Sequence, residues 1–598
     1  MSDPLAVRRV TLIESLGVYL PTRELSTQAV MDGCATPIRF PMERMSGIKS
    51  RRVGGEAEYA TDLAIAAITR CLATSRHTAA DVDIIISTSV SRCDGPSLWV
   101  SHEPCMAVRL RHHFGFDRAI AFDVGSACAG MFTGINIVQA LIARGTIACG
   151  LVVSGEYISH LSDTAQKEIT TILDTRLACL TLGDAGAAVM LEATSHADLG
   201  FEALAMSTFG AHARHCMAHP TLEPHGGVIM HTDALKMTEA ATRHGASHAL
   251  ETMEATGWTP ESFQHLIMHQ TSSTALSSAM REINRVMQQR SCHPGNTIDN
   301  LAHRGNTAST SHFVALADQI ATGRIASGDR VIFAISGSGL TVGTGLYTLD
   351  DLPERFRTTA NAADRDSVPR SMPGSTQSAR PRVRIESVGT VPADDRGLRD
   401  TPSMLRAAAE DCLSRSSHGR NDLGLLISAG VYRSGFLFEP ALAALLAGDL
   451  EINTSMSTAN DQRTLAFDVV NGGVGPLNAC YVAVEMIRAG KVAAAMIVAS
   501  EVENNAALPG EALLGLETTG SALILDQAPD QQAGFGSFFF RSFTDHLDAM
   551  TTRCIQRDGR PMLLIQRDPA YARLCLDAIV ATVSEFLATE ALAPQQVA

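Results

Sequence analysis

Four short strings from the first part of this 598-residue chain return in the same order further along. Ile13-Glu14-Ser15-Leu16-Gly17 reappears as Ile385-Glu386-Ser387-Val388-Gly389, and Asp83-Ile84-Ile85-Ile86-Ser87 as Gly424-Leu425-Leu426-Ile427-Ser428. Ala121-Phe122-Asp123-Val124 reappears as Ala466-Phe467-Asp468-Val469, and Leu151-Val152-Val153-Ser154-Gly155-Glu156 as Met496-Ile497-Val498-Ala499-Ser500-Glu501. Ordered recurrence is the signature of a duplicated unit. Length agrees, because a single core stops growing at roughly 250–300 residues. Between the copies, 350–382 mixes Pro369, Pro373, Gly374, Ser375 and Pro381 with charges and no hydrophobic period, which reads as a linker. The expected organisation is a complete copy over 1–349, with halves of about 1–198 and 199–349, then the linker 350–382 and a second copy over 383–598. The second copy stops after a helix over Tyr571–Leu587, whose counterpart around Met237–Thr256 is followed by much more chain in the first.

Within each copy, short runs rich in Val and Ile alternate with Ala-rich helical stretches. Ile84–Ser89, Phe122–Val124 and Leu151–Ser154 read as strands; Pro104–Phe114 and Ala129–Arg144 read as helices. Continuous apolar strands interleaved with helices predict an α/β fold with buried sheets.

Charge and composition narrow the function. With 48 basic and 63 acidic residues, the formal net charge of −15 repels phosphate backbones, so nucleic acid is not expected as a partner. No apolar run is read as long enough for a membrane helix, and the first residues lack a signal-peptide pattern. Thirteen scattered cysteines without a Cys-x-x-Cys pair suit reduced thiols in a cytoplasmic protein. An acidic carrier protein would need a local basic patch; Lys49, Arg51 and Arg52, or Arg109 and Arg111, are the candidates.

Cys128 is the leading candidate for chemistry. It follows the strand Phe122–Val124 and the small turn Gly125-Ser126-Ala127, and precedes a helix whose N-terminus favours thiolate. On its residues alone it fits a buried inert thiol as well. His269 follows the strand Leu266–Met268, and Asn306 lies in the turn His303-Arg304-Gly305-Asn306-Thr307. A cysteine, a histidine and an asparagine at three strand ends can supply a nucleophile, an acid/base group and an amide donor. Gly337-Ser338-Gly339-Leu340-Thr341-Val342-Gly343 looks like a dinucleotide fingerprint, but the strand expected over Leu340–Tyr347 leaves no helix N-terminus for phosphate, and no cofactor is expected. His212, His215, Cys216, His219, His225 and His231 have spacing that permits a metal, yet the segment lacks periodicity and no metal is expected.

Asp123–Met131 around Cys128, His269-Gln270, Gly305-Asn306-Thr307 and Gly337–Gly343 together resemble the ketoacyl synthase III branch of the thiolase superfamily over roughly residues 8–350. The resemblance implies a five-layered α-β-α-β-α fold. It also implies a Claisen condensation of two acyl thioesters, carried by an acyl carrier protein or coenzyme A, through an acyl-Cys128 intermediate. His269 and Asn306 would help the second thioester become an enolate-like nucleophile, and the backbone N–H groups of Cys128 and Ser338 would hold the thioester oxygen. Where the family's housekeeping members grip coenzyme A with a Trp and an Arg, this chain has Pro41, Met45 and Thr274, which favours carrier-bound chains. Glu103, followed by Pro104, is similar to the base of head-to-head condensing enzymes. It fits a helix-start carboxylate equally well.

In the second copy the place of Cys128 falls at Gly473, in Asn471-Gly472-Gly473-Val474-Gly475, while Glu439-Pro440 persists. That copy is expected to be catalytically dead and to serve as a built-in partner that brings Glu439 to the Cys128 pocket; a homodimer is the other arrangement. The chain is thus read as a condensing enzyme of specialised fatty-acid or polyketide metabolism, its length and dead second copy similar to the ketosynthases of dialkylresorcinol pathways. The alternatives are an acyltransferase to a hydroxyl or amine, or a non-catalytic scaffold.

Overall fold

The computed structural model describes residues 9–95, 99–358, 382–391, 397–398, 400–453, 463–502, 518–530 and 533–596. Most of the expected linker, from 359 to 381, lies outside these residues.

The repeated strings form the two halves of one ten-stranded sheet. Its first five strands, in spatial order, are Val10–Tyr19, Ala185–Thr194, Cys149–Glu156, Ile84–Ser87 and Ile120–Gly125. The next five are Leu465–Val470, Leu425–Ser428, Ala494–Glu501, Thr519–Gln527 and Val383–Thr390, the same order reversed. The copies meet where Ile120–Gly125 and Leu465–Val470 pair antiparallel, Asp123 opposite Val470 and Gly125 opposite Asp468. A pseudo-twofold axis therefore passes beside Val124 and Val469, and equivalent features of the two copies lie at opposite ends of this strand pair.

Each recurring residue has the same task in both copies. Gly17 and Gly389 let an edge strand touch the helix beside it: a Cβ would come within 2.3 Å of Cys71 N and within 2.3 Å of Cys412 N, respectively. Glu14 accepts from Ser75 Oγ and Arg76 N, and Glu386 from Ser416 Oγ and Ser417 N. Asp123 accepts the N–H groups of Met106 and Ala107 at the start of the helix after Glu103-Pro104; Asp468 does the same for Leu442 and Ala443 after Glu439-Pro440. Glu156 holds the Val90 and Ser91 amides, and Glu501 those of Val431 and Tyr432. Buried carboxylates satisfied by backbone donors survive duplication because removing either side leaves a buried polar group unpaired.

The first copy also carries a five-stranded sheet, ordered Thr297–Ile298, His265–Met268, Arg330–Gly337, Thr341–Thr348 and Gly200–Thr208. The helix Gly130–Arg144 lies between the two sheets, and 12 of its 15 residues are buried. The segment Ala127–Arg144 is long and apolar enough to span a membrane by length and composition, which corrects the reading that no such run exists; 78% of it is buried in this core. The last helix, Tyr571–Thr589, corresponds to Ala234–Thr256. Among the described residues the former buries none of its side chains, and Leu576, Ile579, Val580 and Val583 are exposed.

Two of the five residues in the basic patches are buried, while Lys49 is exposed and Arg52 and Arg109 are half-buried in ion pairs with Glu24 and Asp94. Arg51 is fully buried, donating to Leu180 O and Thr27 Oγ1, and Arg111 is buried against the carbonyls of Ala119 and Asp117. A guanidinium with several carbonyls around it serves packing, which charge counting along the sequence does not distinguish from a docking patch.

Candidate active site

Strand Ile120–Gly125 ends in a turn that passes through Ala127 at φ +45° and a short 3₁₀ segment, Ala127–Ala129, before the helix Gly130–Arg144. A left-handed alanine is strained, so the surroundings hold Cys128 at the apex of this turn. The segment packs against Ala308–Thr310, the turn that follows Asn306, and against the strand Arg330–Gly337. A Cβ on Gly337 would lie 2.6 Å from Ala129 N and 3.2 Å from Cys128 N, so glycine is what lets the loop containing Ser338 approach the nucleophile's amide.

Burial pushes the Cys128 thiol well above its ordinary range, with the nearby Cys216, Glu156 and Glu439 adding to it; its own backbone N–H acts the other way. Desolvation thus outweighs the helix N-terminus, and the expected resting thiolate is replaced by a thiol.

His269 ends the strand His265–Met268 and donates its amide to Ala334 O at 3.3 Å. Burial lowers its imidazole to about 3, so the ring is neutral near pH 7. Its Nδ1 makes no hydrogen bond among the described residues. The ring stacks on His312 with centroids 5.9 Å apart, and His312 meets Phe132 of the helix after Cys128 at 5.1 Å. Asn306 is pinned by its backbone: its amide donates to Thr181 O and its carbonyl accepts from Gly183 N. Its Oδ1 accepts from Ala308 N at 3.0 Å, which leaves the side-chain NH₂ as the free, donating end. Cys128, His269 and Asn306 therefore belong to one packed region at one end of the strand pair.

Glu103 lies at the other end, against the second copy's turn. Its Oε2 accepts from Tyr432 Oη and Thr552 Oγ1, and a Cβ on Gly472 would lie 2.1 Å from Oε1. It faces the glycines that stand where the second copy has no cysteine. The pseudo-twofold axis exchanges the two glutamates, and Glu439 is the one that reaches the Cys128 region. Its backbone pairs with Ala218 in the segment after the first copy's Gly210–His215, and its carboxylate is felt by both Cys128 and Cys216. Glu439 is buried, its Oε2 has no hydrogen-bond partner among the described residues, and desolvation raises it to about 8.

The remaining candidates are dispersed. Thr274 Oγ1 donates to Met45 O at 3.2 Å, so the equivalents of a coenzyme A grip are adjacent but uncharged. Ser338 hydrogen-bonds Cys216. His219 stacks on His231 across the hairpin Cys216–Pro220/Val228–Thr232, and His212 meets His244 instead. His312, buried beside His269, went unnoticed in the sequence. Its signal was the histidine six residues after Asn306 on a helix buried along most of its length.

Comparison with known proteins finds relatives of the first copy. The family model for 3-oxoacyl-[acyl-carrier-protein] synthase III matches residues 122–210, and the model for its C-terminal part matches residues 253–349. A β-ketoacyl-[acyl-carrier-protein] synthase III of Gloeobacter violaceus is 30% identical over 340 residues, which span 55% of this chain and 95% of that protein. One from Symbiobacterium thermophilum is 27% identical over 343 residues, 55% of this chain and 96% of its own. Among solved structures, the priming β-ketosynthase of the R1128 polyketide pathway matches with TM-score 0.50 at 21% identity, over 59% of this chain and 99% of its own. A histidine-to-alanine variant of Xanthomonas campestris OleA matches with TM-score 0.50 at 20% identity, over 57% and 99%. These last two bear on the fold alone.

Proposed function

The chain belongs to the β-ketoacyl-[acyl-carrier-protein] synthase III family, has its thiolase fold and is an acyl-thioester condensing enzyme; from that premise we propose that Cys128 is its nucleophile and that Glu439, supplied by the second copy, is its base. The second copy, 383–598, then takes the place of a partner subunit.

In the first step Cys128 Sγ attacks the carbonyl of a donor thioester carried by an acyl carrier protein or coenzyme A. The donor C–S bond breaks, and the released thiol takes the proton that Cys128 gives up. The N–H groups of Cys128 and Ser338 hold the oxygen on which charge develops. In the second step the Glu439 carboxylate takes a proton from the carbon next to the second thioester. Neutral His269 and the Asn306 NH₂ donate to the resulting enolate oxygen. The enolate carbon attacks the acyl-Cys128 carbonyl, a C–C bond forms, and the Cys128 thiolate leaves and recovers its proton from Glu439. A base near pH 8 is matched to C–H abstraction at neutral pH better than an ordinary carboxylate.

The observation that carries this reading is the buried Glu439 carboxylate, whose Oε2 has no hydrogen-bond partner among the described residues and whose charge bears on Cys128. Intact-protein mass after incubation with acyl-carrier and acyl-coenzyme A thioesters, followed by product analysis, tests it. Wild type should gain one acyl adduct that Cys128→Ala lacks, and E439Q should load normally but form no C–C product. A product without a new C–C bond would mean acyl transfer to a hydroxyl or amine instead. An adduct on Cys128→Ala would remove the nucleophile.

A further inference from the structure

The axis between the copies passes a small internal cavity lined by residues that the duplication pairs: Arg92 with Arg433, Val90 with Val431, and His102 with Phe438. The two arginines occupy equivalent places, each directly after a turn whose amides a buried glutamate holds. Their environments differ. Arg433 Nη2 forms an ion pair with Asp468 at 2.7 Å. Arg92 spends only its Nε, on Ser89 O at 3.3 Å, and its terminal nitrogens have no hydrogen bond or ion pair among the described residues. Gly125 leaves them room, since a Cβ there would come 3.3 Å from Arg92 Nη2.

A half-buried guanidinium whose terminal nitrogens have no protein acceptor among the described residues is open to an incoming anion. Asp123 is committed to the Met106 and Ala107 amides, and Asp468 to Arg433 and two amides. Glu439 feels the Arg92 charge, and among the described residues its Oε2 has no hydrogen-bond partner. Phe438, in the wall of the cavity, also packs into the apolar cluster containing Cys128, and the next residue is Glu439. The cavity is therefore adjacent to the place where, on the reading above, the second thioester loses its α-proton. Its volume is about 40 Å³, room for about three water-sized groups and too little for an alkyl chain. His102 is driven to about 3 by burial and by both arginines, so it adds a neutral polar group and no competing charge.

We propose that Arg92 is a substrate-binding residue that holds an anionic oxygen on the third carbon of the second acyl thioester, one bond beyond the carbon that Glu439 deprotonates or that is unmasked by loss of carboxylate. Two groups present such an oxygen, a carboxylate as in a malonyl thioester and an enolised oxo group as in a 3-oxoacyl thioester. Fork-shaped donation from a guanidinium suits both. This inference rests on the condensing reading and refines which second substrate is accepted.

The test measures two quantities in wild type, R92Q and R92K. One is acyl loading of Cys128 by intact mass; the other is condensation with malonyl, 3-oxodecanoyl and decanoyl thioesters, each offered on coenzyme A and on acyl carrier protein. R92Q should load like wild type and lose about 10- to 100-fold in condensation with the oxygenated donor, the range of a charge-assisted hydrogen bond. R92K should recover part of that rate, and any decanoyl reaction should be unchanged. A loss confined to malonyl identifies a carboxylate, and a loss confined to 3-oxodecanoyl identifies the oxo group. Equal rates in R92Q and wild type, or equal losses with all three donors, overturn the assignment while leaving the condensing reading intact. A wild type that loads Cys128 but joins none of the donors overturns both.

Discussion

At the end of Ile120–Gly125 the chain turns through a strained Ala127 and presents Cys128; at the end of Leu465–Val470 the same turn is Asn471–Gly475, with Gly473 in the place of the cysteine. Around both turns the frame is the same: an aspartate on the strand caps the helix after a Glu-Pro, and a glutamate ties down the preceding loop. What differs is who faces the turn. Glu103 is held by Tyr432 and rests against Gly472, whereas Glu439 has an oxygen with no partner. The residue equivalent to Tyr432 in the first copy is Ser91, which bonds Tyr157 O and reaches no glutamate across the axis. Duplication thus kept the carboxylates that hold the fold in both copies, and left the chemically free groups on one side only.

The sharpest way to break this comparison is at the nucleophile. Cys128→Ala should lower condensation by at least ~1000-fold, while installing a cysteine at Gly473 should restore nothing, because among the described residues no histidine or asparagine is placed there as His269 and Asn306 are beside Cys128. Acyl adducts counted by intact mass decide both. Next come the glutamates. E439Q should cost on the order of 100-fold or more in condensation at unchanged loading, and E103Q should stay within about threefold of wild type. Equal losses would mean that the axis does not assign them different roles.

A smaller effect separates the same pair by pH. The folded chain holds Glu439 at about 8 against an ordinary 4.5, so the native state binds this proton more tightly than the unfolded chain does. Its contribution to stability is full below about pH 4.5 and is lost as pH rises through about 8. Denaturation curves should show wild type losing ~2–4 kcal/mol relative to E439Q across that window. Condensation should rise over the same range as the base form appears. The smallest predicted difference concerns the frame itself. Asp123→Asn and Asp468→Asn should each cost about 1–3 kcal/mol, similar in the two copies, while breaking the exposed Arg214–Asp449 pair by Arg214→Ala should cost less than ~0.5 kcal/mol. Urea titrations check all three.

Much of the frame was legible because local chemistry writes it into short strings. The apolar runs Ile84–Ser89 and Leu151–Ser154 read as strands of a buried sheet, and the strands Ile84–Ser87 and Cys149–Glu156 are buried along their whole length. The recurring Glu14/Glu386 and Asp123/Asp468 marked a duplication because each carboxylate has backbone amides to satisfy wherever the strand is copied. Cys128, His269 and Asn306 were read from strand ends and small-residue turns; the Cys128 segment packs against the turn that follows Asn306, and His269 stacks on His312, which meets Phe132 of the helix after Cys128. Properties set by surroundings were less legible. The helix N-terminus beside Cys128 suggested thiolate, but desolvation acts through residues distant in sequence and prevails. Arg51 and Arg111 looked like surface charge because nothing in their neighbours announces the carbonyls that bury them.

The sequence by itself determined that an α/β unit recurs, which cysteine is the candidate nucleophile, and that Gly473 stands in its place in the second copy. These follow from residue identity and short-range periodicity, which every copy carries with it. The family resemblance had already carried Glu439 toward the Cys128 pocket as an expectation; only the tertiary structure supplied the strand pairing that sets each glutamate beside the other copy's turn. Antiparallel pairing of Ile120–Gly125 with Leu465–Val470 places the two copies around a twofold axis, so each copy's Glu-Pro segment crosses to the other's turn. That exchange is a matter of strand direction across an interface hundreds of residues apart in sequence, and no local pattern encodes it.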